Sequence, residues 1–105
     1  MCIRDRTDPD LQVADHPERE RFEGRLGDEL VGVVEYIALP GKVIATHAEV
    51  GEDFEGRGMA SQLVGGMVEQ LRTDGRLLQP MCPYVRAWLQ RHPEAADVVD
   101  PATPH

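Results

Sequence analysis

The stretch that decides the fold is VGEDFEGRGMASQLVGGMVEQLRTDG, which runs from Val50 to Gly75. A β-branched run ends at Val50, Gly56 and Gly58 follow, and apolar residues then recur at three- and four-residue spacing. That spacing predicts an amphipathic helix, and Gly75 ends it because glycine tolerates a left-handed cap. The two earlier glycines either make a tight turn or leave bare amides at the helix N-terminus that hold an anion.

The predicted helix carries one apolar stripe, formed by Ala60, Leu63, Val64, Met67, Val68 and Leu71. Gly65 and Gly66 interrupt the stripe. Each glycine costs up to about 1 kcal/mol relative to Ala in a helix interior, but together they allow the helix to approach a sheet closely. A second helix begins at Pro83, where the missing N–H costs nothing, and ends before Pro93.

Strand patterns lie on both sides of the first helix. Alternating or β-branched runs, separated by turn dipeptides, predict strands at residues 21–26, 29–39, 42–50 and 76–79. Regular alternation along 42–50 puts Ile44, Thr46, Ala48 and Val50 on one side, and Val43, Ala45, His47 and Glu49 on the other. The element order predicts an α/β (α+β) domain with a mixed, mainly antiparallel sheet and two principal helices.

Length and composition favour one domain. The chain has 105 residues, which we divide into a polar leader at 1–19 that is disordered or loosely attached, a domain at 20–100 and a tail at 101–105. A domain this small buries a limited core, so a homodimer is a reasonable expectation. Two cysteines and no apolar signal sequence favour a reducing cytoplasm.

The charge balance bears on the partners. The formal net charge is −8, which argues against binding to nucleic acid or to an anionic membrane, since both need a basic surface. The sequence has no apolar stretch near the roughly 20 residues that span a bilayer. An anionic small molecule remains compatible with this charge, because local amides and a nearby arginine act at short range.

The order of these motifs resembles the acetyl-CoA-binding core of the Gcn5-related N-acetyltransferases. The resemblance lies in His47-x-Glu49-Val50, then Gly56-x-Gly58-x-Ala60, then the amphipathic helix. The Cys-Pro-Tyr-Val segment at 82–85 and the following His-Pro are similar to a small single-domain branch of that superfamily. The resemblance covers about residues 20–100. One departure is Asp53, an acid where the superfamily usually has Gln or Arg.

The resemblance implies an acetyl-CoA-dependent N-acetyltransferase that acts on a primary amine, which the sequence does not identify. Backbone near the end of the third predicted strand would pair with pantetheine, as a strand pairs with a sheet edge, and amides at the start of the helix would hold the pyrophosphate. The implied cofactor-binding residues are Val50, Gly56, Arg57, Gly58, Met59, Ala60 and Ser61.

Four residues are candidates for the chemistry. Cys82 precedes a helix, which favours its thiolate and a nucleophilic role; the alternative is a buried, inert thiol. Glu49 or His47 could take a proton from an ammonium, and the resemblance favours Glu49, while His47 is equally well explained as a packing residue. Tyr84 could protonate the departing thiolate, or it could simply pack or lie on the surface.

Two further readings stay open at this point. The protein could bind CoA or acyl-CoA as a sensor or interaction module without efficient transfer. Acidic residues before the glycines, at 52, 53 and 55, either face solvent or attract a cationic amine.

The cysteine and histidine residues lack the paired spacing of metal ligands, so we expect no metal.

Overall fold

The computed structural model describes residues 11–52 and 58–101. Its strands are β1 (Gln12–His16), β2 (Arg21–Leu26), β3 (Glu29–Leu39), β4 (Lys42–Val50) and β5 (Leu77–Pro80). Its helices are α1 (Met59–Asp74) and α2 (Pro83–Arg91), with 3₁₀ turns at Pro17–Arg19 and Pro93–Val98.

The strands form a single sheet in the order β1-β2-β3-β4-β5. Neighbouring strands from β1 to β4 are antiparallel, whereas β5 lies parallel to β4. The parallel pair needs a crossover connection, which α1 supplies. Gly27 and Gly41 adopt positive φ angles in the two tight turns that flank β3. The predicted mixed, mainly antiparallel sheet with two principal helices is therefore confirmed.

The predicted leader is wrong for residues 12–19, because β1 pairs with β2 from His16 opposite Arg21 to Gln12 opposite Arg25, and a 3₁₀ turn follows at Pro17–Arg19. This strand is also fastened to α1. The Gln62 side chain accepts a hydrogen bond from the Leu11 N–H at 3.1 Å, and Gln70 donates to the Val13 carbonyl. Residues 1–10 of the leader and 102–105 of the tail lie outside the described residues.

Glycine permits the close contact between β1 and α1. A Cβ added at Gly66 would lie 2.5 Å from Cγ2 of Val13, a distance that real side chains do not tolerate. The expectation that the helical glycines allow close approach to a sheet therefore holds at Gly66. Gly65 instead faces α2, where an added Cβ would lie 3.5 Å from the ring of Trp88.

One core joins the sheet and both helices. The predicted stripe of α1 is buried as expected from Leu63 to Leu71, and α2 contributes Val85 and Trp88. From the sheet the core takes alternate residues, including Phe22, Val34, Tyr36, Val43, Ala45 and Leu78. Burying these apolar side chains provides the main stabilising term.

Regular alternation along β4 is interrupted at Thr46. Tyr36 of β3 pairs with Ala45 and Glu35 pairs with His47, so Thr46 is an extra residue in β4. This β-bulge shifts the side-chain alternation by one position. Ala48 and Val50 consequently pack on the core, on the same side as Val43 and Ala45. The predicted grouping of His47 and Glu49 with those two buried residues is therefore wrong.

The outer face of β1 and β2, away from the core, holds a buried carboxylate among cations. Glu23 is 1% exposed. Its oxygens contact guanidinium groups of Arg19, Arg21 and Arg25 at 2.6–3.3 Å, and Nε2 of His16 at 3.3 Å. We call these five residues the Glu23 cluster. Hydrogen bonds from guanidinium groups satisfy the buried charge, which is the condition for burying it.

Candidate functional site

A cleft opens where β4 and β5 separate. Their parallel pairing runs from Lys42 opposite Leu77 to Ala45 opposite Pro80. The Ala45 carbonyl then accepts hydrogen bonds from the N–H groups of Met81, at 2.9 Å, and Cys82, at 3.0 Å. The chain turns there into α2, while β4 continues to Val50. Beyond Ala45 the register gives β4 no partner in β5, so one edge of β4 faces the cleft.

The cleft contains a cavity of about 200 Å³. Its lining combines the end of β4, the first two turns of α1 and the start of α2: Ala48, Glu49, Val50, Ala60, Leu63 and Tyr84. Sites for drug-sized ligands measure roughly 300–1,000 Å³, so this cavity suits one arm of a larger molecule. Four of the predicted site residues meet here, namely Glu49, Val50, Ala60 and Tyr84.

The N-terminus of α1 borders the cavity and presents backbone donors to it. Gly58 is the N-cap, with φ 76° and ψ 9°, and no side chain caps the helix within the described residues. The first helical hydrogen bond runs from the Gln62 N–H to the Gly58 carbonyl, at 3.1 Å. The preceding N–H groups, those of Met59, Ala60 and Ser61, therefore lack helical acceptors.

Electrostatics at this end of α1 favour an anion as well. The first turn of α1 contains no acidic residue, and the aligned peptide dipoles place about half a positive charge there. Met59 is buried, so we expect no contact between its side chain and a ligand. The predicted ligands Gly56 and Arg57, and also Asp53, lie outside the described residues.

The Ser61 side chain lies between the two helices. Its hydroxyl oxygen accepts a hydrogen bond from Nε1–H of Trp88 at 3.0 Å. Trp88 in turn stacks on His92, with ring centroids 3.9 Å apart and an interplanar angle of 14°. Thus a side chain of α2 contacts the first turn of α1 directly.

His47 and Glu49 lie on the outer face of β4, beyond the bulge. Nε2 of His47 is 3.3 Å from Oε1 of Glu49, and the side chains are 55% and 70% exposed. An exposed pair of this kind adds little stability. Both side chains are therefore accessible to solvent and to a molecule that approaches the cavity from the outer face.

Cys82 lies apart from the cavity. The residue is the N-cap of α2, is 4% exposed and belongs to the core. It is not among the described residues that line the cavity, whereas Tyr84, two positions later, is. The arrangement matches the inert alternative for this thiol more closely than the nucleophilic one.

Sequence reasoning did not identify three features of the site. These are the bulge at Thr46, the cavity-lining side chain of Leu63 and the contact between Trp88 and Ser61. Only the bulge leaves a local signal, since two consecutive polar residues, Thr46 and His47, follow the apolar run at 43–45. The two other features depend on how α1 and α2 pack.

Across the ranges 11–52 and 58–101, no group of three or more histidine, cysteine or acidic side chains is arranged to hold a metal ion. The helices in these ranges are also too short or too polar to cross a membrane.

Comparison with known proteins decides the family. The family model of the GCN5-related N-acetyl-transferases matches residues 21–98, which is most of the chain. The chain belongs to this family. The resemblance drawn from the motifs is thereby confirmed for the family, while the branch marked by the Cys-Pro-Tyr-Val segment stays a prediction. No curated protein sequence matches the chain.

Solved structures share the fold of this family member. The solution structure of a GCN5-like candidate N-acetyltransferase from Staphylococcus aureus has a TM-score of 0.65 at 16% identity, over 91% of this chain and 94% of that one. The crystal structure of an aminoglycoside acetyltransferase from an uncultured soil metagenomic sample, in complex with sisomicin, has a TM-score of 0.52 at 12% identity. That match covers 81% of this chain and 61% of the other.

Proposed function

We propose that the protein is an N-acetyltransferase that transfers the acetyl group of acetyl-CoA to a primary amine. The observation that carries this proposal is the cleft between β4 and β5, which opens beside the uncapped N-terminus of α1. Membership of the acetyltransferase family supports it. Within the described residues, the cleft brings together a strand edge that β5 does not pair, a cavity and a set of amides without helical acceptors.

The residues present fit the parts of acetyl-CoA. Amides from Gly58 to Ser61 bind the diphosphate, with Gly56 and Arg57, which precede α1 in the sequence, as further predicted ligands. The free edge of β4 up to Val50 hydrogen-bonds the amides of the pantetheine arm, as a sheet edge binds an extended peptide. The cavity of about 200 Å³ then receives the thioester end.

Side chains around the cavity supply the proton transfers. Glu49, directly or through water, removes a proton from the acceptor ammonium, and His47, 3.3 Å away, is the alternative base. The amine nitrogen forms a bond to the thioester carbon, the carbon–sulfur bond breaks with its electron pair on sulfur, and the nitrogen releases its second proton to solvent. Tyr84 donates its hydroxyl proton to the sulfur of the leaving CoA and is reprotonated from solvent.

Direct transfer is the route that the burial of Cys82 favours, because a thiol that is 4% exposed is poorly placed to attack a thioester. Intact-mass measurement after incubation with acetyl-CoA, without amine, tests this choice. Direct transfer predicts no acetyl adduct on Cys82 and full activity in Cys82→Ala. An adduct at Cys82 together with an inactive variant would instead establish the acetyl-cysteine route.

A binding module without transfer is the second candidate. It is favoured by the 70% exposure of Glu49, since a base in open solvent is not held against a substrate. Calorimetry with acetyl-CoA, followed by acetylation assays on protein lysines, polyamines and small amines, separates the two candidates. Our proposal predicts binding with turnover. Binding without turnover on any amine would establish the module, and absence of binding would contradict both.

Two other expectations accompany this function. A homodimer would compensate for the small core, and a reducing cytoplasm would suit a chain with two cysteines. Sedimentation of the purified protein tests the first expectation, and fractionation of cells that express it tests the second.

A further inference from the structure

The contact between Trp88 and Ser61 joins α2 to the turn of α1 that carries the free amides. Trp88 is 6% exposed, and its indole N–H donates to the Ser61 hydroxyl at 3.0 Å. A buried indole N–H needs an acceptor. A hydroxyl has two acceptor positions and one proton to donate. Accepting from the indole therefore leaves the Ser61 proton available for a different partner.

The indole that orients this hydroxyl is itself held from two sides. His92 stacks on its ring at 3.9 Å. Nδ1 of His92 also lies 2.9 Å from the Trp88 carbonyl oxygen, which can only accept, so Nδ1–H donates. On the other side the ring faces Gly65, where an added Cβ would be in van der Waals contact at 3.5 Å. The Ser61 hydroxyl thus meets a rigid donor.

We propose that Trp88 is a positioning residue for the diphosphate of acetyl-CoA: it occupies an acceptor position of the Ser61 hydroxyl, so that the Ser61 proton is donated to a diphosphate oxygen. The inference rests on the proposed function, because it places the diphosphate at the N-terminus of α1. In a helix, Cα–Cβ bonds tilt towards the N-terminus, which is the end where we place the diphosphate. The hydroxyl then adds a side-chain donor to the amides of the same turn.

The single tryptophan of the chain reports on this contact. CoA is titrated into the wild-type protein, with calorimetry for Kd and a proton–nitrogen spectrum for the unique indole N–H. A hydroxyl that donates to an anion becomes a better acceptor, so the indole resonance shifts downfield as CoA saturates. In Ser61→Ala that downfield shift on saturation is absent. Absence of CoA binding would refute the proposed function; binding with an unmoved indole resonance would overturn only this inference.

Affinity gives a second readout that a purely structural contact would not move. Ser61→Ala loses a hydrogen bond to a charged group, so we expect its Kd for CoA to rise about tenfold. Ser61→Thr keeps the hydroxyl, and its Kd should stay within about threefold of wild type. Trp88→Phe should raise the Kd for CoA about threefold. The double variant Ser61→Ala/Trp88→Phe should bind CoA no more weakly than Ser61→Ala alone, because Trp88 acts through the Ser61 hydroxyl. Additive losses would overturn the inference.

Gln62→Ala is the matched control. It removes a polar side chain from the next position of α1, where the amide oxygen accepts from the Leu11 N–H. We expect it to lower the melting temperature and to leave Kd for CoA unchanged. A Ser61→Ala variant that behaves in the same way, with lower stability and unaltered Kd, would show that Ser61 only satisfies the buried indole.

Discussion

The Glu23 cluster and the cleft beside α1 differ in whether their polar groups have hydrogen-bonding partners among the described residues. Around Glu23, guanidinium groups from three arginines and a histidine nitrogen saturate one buried carboxylate. At the N-terminus of α1, by contrast, Gly58 provides no capping side chain, and the first turn has no acidic residue. Satisfied groups stabilise a fold, whereas unsatisfied donors at a surface are available to a ligand. The comparison therefore separates a structural region from the proposed binding region.

The pKa of Glu23 shows how strongly the surrounding cations stabilise its charged carboxylate. Burial alone would raise the pKa, but hydrogen bonds from Arg21 and Arg25 and the charges of His16 and Arg21 outweigh burial and lower it to about 2. A carboxylate with so low a pKa is a very weak base, so Glu23 is unsuited to accept a proton from a substrate. Glu49, on the same outer face but 70% exposed, is open to solvent and adjacent to the cavity.

The largest expected effect lies in the cleft. Glu49→Gln removes the base, and general-base catalysis typically contributes 10²–10⁴-fold, so we expect kcat for amine acetylation to fall by about that factor. Kd for acetyl-CoA should stay unchanged. Glu35→Gln is the control, since this acid lies opposite His47 on β3. A kcat of Glu49→Gln equal to that of the control would contradict the role of Glu49.

The corresponding acid-to-amide substitution in the Glu23 cluster should lower stability without affecting CoA binding. Glu23→Gln leaves clustered arginines without a counter-charge, and we expect the free energy of unfolding to fall by about 3 kcal/mol in urea denaturation. Kd for CoA should stay the same. Glu69→Gln removes an exposed partner of Arg72 and should cost under about 1 kcal/mol. Equal losses in the two variants would show that the Glu23 cluster is no more than a surface ion pair.

The low pKa of Glu23 predicts how its stabilising effect depends on pH. Because the folded pKa is depressed from 4.5 to about 2, the stabilisation is fully present above the unfolded value and is lost as pH falls towards 2. Thermal unfolding of wild type and Glu23→Gln should therefore differ most above about pH 5 and converge near pH 2. A difference that stays constant between pH 6 and pH 2 would contradict this account.

The smallest effect sharpens the comparison at a single backbone position. Gly58→Ala forces a side chain into φ 76°, which costs about 1–2 kcal/mol of stability, and shifts the amides, so we expect CoA to bind about tenfold more weakly. Gly27→Ala is the matched control, since Gly27 has φ 60° in the β2–β3 turn and an added Cβ at either glycine would meet no described atom within 4 Å. It should cost similar stability with no change in Kd. If Gly58→Ala and Gly27→Ala bind CoA with the same Kd, Gly58 is not part of the binding site.

Local patterns in the sequence were sufficient for most of the fold. The helical stripe from Leu63 to Leu71, the proline at the start of α2 and the turn glycines act through neighbouring residues, so their consequences can be read locally. β1 was missed because its stability comes from distant partners. Val13 packs against Gly66, and Arg76 bonds Asp15 across 61 positions. Neither contact leaves a periodic signal in a short polar segment.

The site was less predictable than the fold. The cavity does unite Val50, Ala60, Glu49 and Tyr84, since strand end, helix start and second helix meet where parallel strands separate. The burial of Cys82 was not decidable from its place before a proline, because either a buried or an open thiol can start a helix. Its place in the core follows from the hydrogen bond of its N–H to Ala45.

The central claim is that the free amides at the start of α1 bind the CoA diphosphate. Its most direct test is a titration of CoA followed by backbone amide resonances. We predict saturable shifts at residues 58–61, with Kd matching calorimetry, while the amides of residues 21–25 around Glu23 stay in place. Saturation by CoA that leaves residues 58–61 unmoved would contradict the account.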